Sequence, residues 1–311
     1  MSDLLVIVGP TASGKTELAA ALAERLGGEV VSADAFAVYR GLDIGTAKPD
    51  LATRARVPHH LIDVADPRER YSAGMFVRDA DAAIHEIRNR GRLPVVVGGT
   101  HFYVRALLYG LFPEPPKDPR LRQMLEAEWT ADPPAVRARL AALDPESTVR
   151  IASADRQRTV RALEVCLLAG RPMTALWRDH PRVGPRYPFL MLGLRLPRAE
   201  LHARIGLRVE SMFAAGLLRE VKELLAEGLS PQAHALKAIG YRESCQVLAG
   251  ALTAQEAVER AKAATRRLAK RQMTWLRGET EVEWLAGAGA EMLAAATSRV
   301  EARGGTGTGA G

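Results

Sequence analysis

The stretch LLVIVGPTASGKTELAAALAERLGG, residues 4–28, decides the fold. A short apolar run ends in Gly9, Pro10, Thr11, Ala12, Ser13, Gly14, Lys15 and Thr16, which together have the form GxxxxGK[ST]; a helical pattern with a glycine stop follows. Strand, glycine-rich loop and helix in that order make a phosphate-binding loop. Its glycines let backbone N–H groups turn inward, and the helix N-terminus favours negative charge. Lys15 neutralises phosphate oxygens and the Thr16 hydroxyl is a ligand for Mg²⁺.

Outward from this loop, short apolar runs alternate with helical patterns: EVVSAD (29–34), HHLIDV (59–64), then LPVVVGG (93–99) after a long helical segment. The alternation predicts an α/β fold, a P-loop nucleotide-kinase-like parallel sheet flanked by helices. After LYGLFPEPPKDPRLR (108–122) the strand signal stops, and residues 113–186 read as helices broken by Pro and Gly. FLMLGLRL (189–196) then resumes the core, helices run from 198 to 276, and VEWLA makes a closing strand. The expected organisation is a core of residues 1–112 and 187–287, a helical insertion of 113–186, and a C-terminal helix with a flexible tail at 288–311.

The chain has 311 residues, 47% of them hydrophobic, which suits a globular protein with a well-buried core. It carries no secretory pattern and no apolar stretch of about 18 residues, so a cytoplasmic protein without a membrane partner is expected. Cys166 and Cys245 lie far apart without ligand partners and read as packing residues. The formal charge of +7 points to an anionic partner, and two clusters concentrate it: RIASADRQRTVRALEV (150–165) and ERAKAATRRLAKRQMTWLR (259–277).

An NTPase carries an acid at the end of a second apolar strand to help hold its metal. Here that strand ends in two glycines and a threonine, and the comparable acids are Asp34 and Asp63. A loop so equipped suits a diphosphate that leaves more than one that is hydrolysed. Asp34 stands at the carboxyl end of a strand, where open sheets place their ligands. Its position fits a general base and equally a cap on the next turn. Asp63, His59 and His60 read as supports of the fold.

Seven motifs occur in one order: GPTASGKT (9–16), DIGTAKP (43–49), VPHHLIDV (57–64), VVVGGTHFY (95–103), RALEV (161–165), AIGYRE (238–243) and AKRQMTWLR (269–277). In this the chain resembles the tRNA dimethylallyltransferase (tRNA isopentenyltransferase) family over roughly residues 4–285. The resemblance implies transfer of a dimethylallyl group from its diphosphate to N6 of the adenosine 3′ of the anticodon, in tRNAs reading codons that begin with U, with Mg²⁺ and release of diphosphate. It implies Asp34 as base and Thr100 as a group holding the reacting amine and phosphate. Lys15 and Arg208 are implied at the diphosphate, although on sequence alone Arg208 reads sooner as a charge on a helix surface. For tRNA contact it implies Asp34, Ala35, Phe36, Ala37, Thr100, Arg122, Gln157, Arg158, Thr159, Val160 and Arg161. It further implies Lys237, Ala238, Ile239, Gly240, Tyr241 and Arg242, and Lys270, Arg271, Gln272, Met273, Thr274, Trp275, Leu276 and Arg277. The insertion would clasp the anticodon stem, and a monomer is expected.

The chain departs from the family after the aspartate. Most members have Ser and Gln where this chain has Ala35 and Ala37, and Phe36 between them either stacks on a base or packs in the core. Three other readings share the loop: a small-molecule kinase, an adenylate isopentenyltransferase acting on free nucleotide, and an RNA-binding protein without catalysis. The basic runs disfavour the first two, and the third leaves Lys15 and Asp34 without a task.

Overall fold

Strand β1 (Leu5–Val8) enters the phosphate loop, and α1 (Lys15–Leu26) leaves it; all four strand residues are buried, as a strand covered on both faces requires. The computed structural model describes residues 4–112, 115, 118–179, 184–287 and 289–304. The chain divides into two units, Met1–Gly110 with Pro185–Gly311, and Leu111–Gly184. The expected start of the insertion at 113 and the expected tail at 305–311 lie outside the described residues.

In the larger unit β2 (Gly28–Ser32), α2 (Leu51–Arg56), β3 (His59–His60), α3 (Ala73–Asn89), β4 (Leu93–Gly98) and α4 (His101–Tyr109) follow. Among the described residues six strands, completed by β5 (Leu190–Leu194) and β6 (Val282–Leu285), form one sheet in the order β3-β2-β4-β1-β5-β6. Every pairing is parallel, with Ile7 opposite Val97 on one side and Leu192 on the other. Parallel order brings all the carboxyl ends to one edge, so the segments after β2, β4 and β1 stand side by side there.

HHLIDV contributes only His59 and His60 to the sheet, a correction of the longer strand expected. Leu61 and Asp63 adopt φ of 61° and 60°, which turns the chain out of the ladder. The turn delivers the Asp63 carboxylate to Lys48 and Arg54, and the buried Lys48 also holds the Tyr39 carbonyl at 2.7 Å. DIGTAKP and HHLIDV therefore brace one another. His60 bonds the buried Glu29 at 2.6 Å, which is a support of the fold.

Helices α10 (Arg198–Ala214), α11 (Leu217–Ala226), α12 (Tyr241–Leu248), α13 (Ala254–Leu276) and α14 (Gly289–Gly304) belong to the same unit. Thr253 and Glu256 close α13's N-terminus as a reciprocal capping box. No helix among the described residues is long and apolar enough to cross a membrane.

The smaller unit is helical: α5 (Pro119–Ala131), α6 (Pro133–Leu143), α7 (Pro145–Arg150), α8 (Arg156–Ala169) and α9 (Met173–Asp179). Asp118, Asp132 and Asp144, each before a proline at the first helical position, cap α5, α6 and α7. Asp144 is fully buried and accepts from the N–H and hydroxyl of both Ser147 and Thr174, at 2.7–3.1 Å.

Candidate active site

Two glycines end β4 because neighbouring groups occupy the space of a side chain. A Cβ at Gly98 would lie 2.1 Å from the Ala33 carbonyl oxygen, and one at Gly99 2.4 Å from the Gln272 amide nitrogen. The absence of an acid there, noted in the sequence, thus follows from close packing. Beyond them the Thr100 N–H donates to the Ala33 carbonyl at 3.3 Å, and its Oγ1 accepts from the Ala35 N–H at 3.1 Å. These two bonds grip the backbone on either side of Asp34.

Asp34 takes up the capping role with one of its two carboxylate oxygens. Its Oδ1 accepts from the N–H groups of Phe36 at 2.8 Å and Ala37 at 3.1 Å, capping the turn. Its Oδ2 makes no hydrogen bond among the described residues. A carboxylate held through one oxygen presents the other in a fixed direction, as a base must.

Asp34 shares a cleft of about 330 Å³ with Thr11 of the phosphate loop, Arg208, Lys237, Arg242 and Arg271, and with an apolar wall that includes Phe36, Met212, Phe213, Leu217 and Ile239. Ala238 and Gly240 also line it. Residues from five separated segments meet here. Arg208 is therefore no surface charge: burial holds its guanidinium below the ordinary arginine range, with the Glu17 and Asp34 carboxylates opposing. Burial likewise pushes the Lys15 ammonium down to about 8, aided by Arg208 and opposed by Asp34 and Glu17. The cleft wall itself carries four cations, Arg208, Lys237, Arg242 and Arg271, against the carboxylate of Asp34, a site short of negative charge and suited to a diphosphate. Among the described residues Lys15 Nζ donates to the Pro10 carbonyl alone, at 3.3 Å.

Phe36 packs against the core at the edge of the cleft. Its ring borders the cleft and lies parallel to the His234 ring, with centroids 6.1 Å apart. Ala37 is buried, at 6% exposure.

Several residues expected at the tRNA are placed otherwise. Thr159, Val160, Tyr241 and Leu276 have 0%, 1%, 0% and 0% exposure, so their side chains pack the interior. Tyr241 donates to Glu220 and accepts from the Gly45 N–H at 3.1 Å. Arg122 and Arg161 both bind the fully buried Glu164, whose carboxyl would otherwise be a buried charge without a counter-charge. Gln157 and Arg158 are exposed. Met273 and Trp275 are half-buried, Trp275 stacked on His101 with centroids 4.5 Å apart.

A second concavity, of about 960 Å³, runs between the start of α10, α13 and the end of β6. Arg195, Arg198, Arg266, Arg267, Lys270 and Arg277 line it, with Thr274 beside them and no Asp or Glu. None of the six cations forms an ion pair among the described residues, whereas Lys262 on the same helix pairs with Glu210 and Glu259. Unpaired cations without nearby acids suit a polyanion. Sequence reading missed Arg195 and Arg198; the signal was there in RLPR, directly after a core strand.

Comparisons with known proteins accord with this geometry. The IPP transferase family matches residues 37–279, and the isopentenyl transferase family matches residues 2–57. The tRNA dimethylallyltransferase of Anaeromyxobacter dehalogenans is 51% identical over 286 residues, covering 91% of this chain and 94% of that protein. That of Halorhodospira halophila is 53% identical over 283 residues, covering 90% and 91%. The full-length tRNA isopentenylpyrophosphate transferase of Bacillus halodurans superposes with a TM-score of 0.73 at 37% identity, covering 97% of both chains. A eukaryotic dimethylallyltransferase acting on tRNA superposes with a TM-score of 0.78 at 28% identity, covering 91% of this chain and 73% of that one.

Proposed function

The chain belongs to the IPP transferase family, and from that membership we propose that it moves the dimethylallyl group of dimethylallyl diphosphate onto N6 of the adenosine 3′-adjacent to the anticodon, in tRNAs reading codons that begin with U. The allylic C1–O bond breaks and the diphosphate leaves with the electron pair. The N6–C1 bond forms, and the N6 proton passes to Asp34 Oδ2. Loop N–H groups, Lys15 and Arg208 stabilise the departing charge, which is the main demand of an allylic ionisation. Phe36, Met212, Phe213, Leu217 and Ile239 line the cleft with apolar surface and keep water from the allylic carbon. Thr100 aligns Asp34 through the Ala35 N–H.

Mg²⁺ belongs to the same proposal. Among the described residues no group of three or more His, Cys, Asp or Glu is placed to hold a metal. The Thr16 hydroxyl, diphosphate oxygens and water fit an ion carried mainly by its substrate, the usual manner for magnesium. When bound it supplies further neutralisation of the diphosphate. A monomer working in the cytoplasm completes the reading.

The observation that carries it is the uncommitted Oδ2 of Asp34 in one cleft with Arg208 and the phosphate loop. The test supplies labelled dimethylallyl diphosphate with unmodified tRNA, AMP or no acceptor. Label on the anticodon-loop adenosine is expected; comparable labelling of AMP, or none of tRNA, overturns the proposal.

A further inference from the structure

Gln272 sits in the middle of a charged run, yet it is 7% exposed. Its amide is spent on two backbone groups far away in sequence. Oε1 accepts from the Thr11 N–H at 2.9 Å, inside the phosphate loop. Nε2 donates to the Gly99 carbonyl at 2.9 Å, one residue before Thr100. Those partners follow β1 and β4, adjacent strands of the sheet, so one side chain joins α13 to both. Trp275, almost one turn on, rests on His101 and fastens the helix to the same corner. An apolar residue at 272 would fill the space but leave two partly buried backbone groups without this partner, which is costly.

Lys270 and Arg271 flank this tether directly. Lys270 lines the basic concavity and Arg271 the cleft. A phosphate held by either cation is thus one or two residues from the amide that sets the loop. We propose that Gln272 is a positioning residue that couples RNA binding on α13 to the geometry of the phosphate loop, so that tRNA and the allylic diphosphate favour one another's binding. The proposal rests on the function argued above and replaces the sequence expectation that Gln272 touches tRNA. RNA that steadies α13 steadies the Thr11 N–H and the Gly99–Thr100 peptide, and the diphosphate then meets a loop already ordered. Such coupling is reciprocal by thermodynamic necessity.

The probes are a dimethylallyl thiolodiphosphate that cannot transfer its allyl group and an anticodon stem-loop RNA. In the wild-type protein the analogue should bind about tenfold more tightly when the RNA is saturating, and the RNA correspondingly more tightly with the analogue. Gln272→Glu keeps an acceptor for Thr11 but sets a second oxygen against the Gly99 carbonyl, and Gln272→Met removes both bonds at similar volume. Both should bring the coupling to within about twofold of unity while RNA affinity alone changes little. Binding of both ligands without mutual effect overturns the coupling but leaves the proposed function standing; failure of both to bind overturns the two together. Variants that retain the coupling, or that bind RNA alone more than about tenfold less tightly while melting normally, also overturn it. One measurement needs no variant: RNA alone should slow hydrogen exchange at the Thr11 amide, and unchanged exchange refutes the tether.

Discussion

At Asp34 one carboxylate oxygen caps the turn while the other makes no hydrogen bond among the described residues, and that division makes a clean substitution available. Asn in its place keeps an Oδ1 acceptor for the Phe36 and Ala37 N–H groups and loses only basicity. Asp34→Asn should therefore melt like the wild type and lose on the order of 10²-fold or more in single-turnover rate. A rate within a few-fold of wild type removes Asp34 as the base. Phe36 is the neighbouring case, since its ring both borders the cleft and packs against His234. If the ring stacks on a base, Phe36→Ala should raise the KM for tRNA by about fivefold or more, as base stacking commonly contributes. A lowered melting temperature with an unchanged KM assigns the ring to packing alone.

Among the helical elements, Asp144 joins the start of α7 to the start of α9 through four hydrogen bonds. Burial pushes its carboxyl up, but the bonds from Thr174 and Ser147 together outweigh it and leave the group below the ordinary aspartate range. A depressed carboxylate stabilises the fold in full above the ordinary range, and that contribution disappears as pH falls through the lower, folded value. Asp144→Ala should destabilise the helical unit by about 3 kcal/mol at neutral pH, because it strands two N–H groups and removes a cap. Faster hydrogen exchange over residues 118–179 at pH 7 measures this, and the difference from wild type should shrink on acidification. An equal difference at every pH places the effect in packing rather than charge.

Across the whole molecule, cations without an ion pair among the described residues collect along α13, at the start of α10 and in the cleft, where Arg242 differs in being paired with Glu243. If Lys270, Arg271 and Arg277 meet phosphates, the triple Ala variant should flatten the slope of log affinity for tRNA against log salt by roughly 0.7 to 0.9 per contact. Arg195→Ala with Arg198→Ala should flatten it further, since those two line the same concavity from another element. Binding of the diphosphate analogue should stay unchanged. An unaltered slope assigns these side chains to the fold.

The phosphate loop, the alternation of apolar strands with helices, and the helical insertion were all legible in the residues, because each depends on spacing within a few turns of chain. Glycine, lysine and threonine at fixed offsets act through their own backbone and neighbours, and a strand covered on both faces must be apolar throughout, as β1 and β5 are. The tertiary structure decided which polar residues face inward. Nothing local distinguishes Gln272 from the cations beside it, or marks Tyr241 as buried, since a periodic pattern does not say which distant backbone groups need a partner. It also turned Leu61 and Asp63 out of the sheet, where Lys48 and Arg54 receive the carboxylate. Above all it joined Asp34, Arg208, Lys237 and Arg271 in one cleft. That meeting requires the parallel order of the strands and the packing of α10 and α13 over their carboxyl ends, and no interval along the chain encodes it.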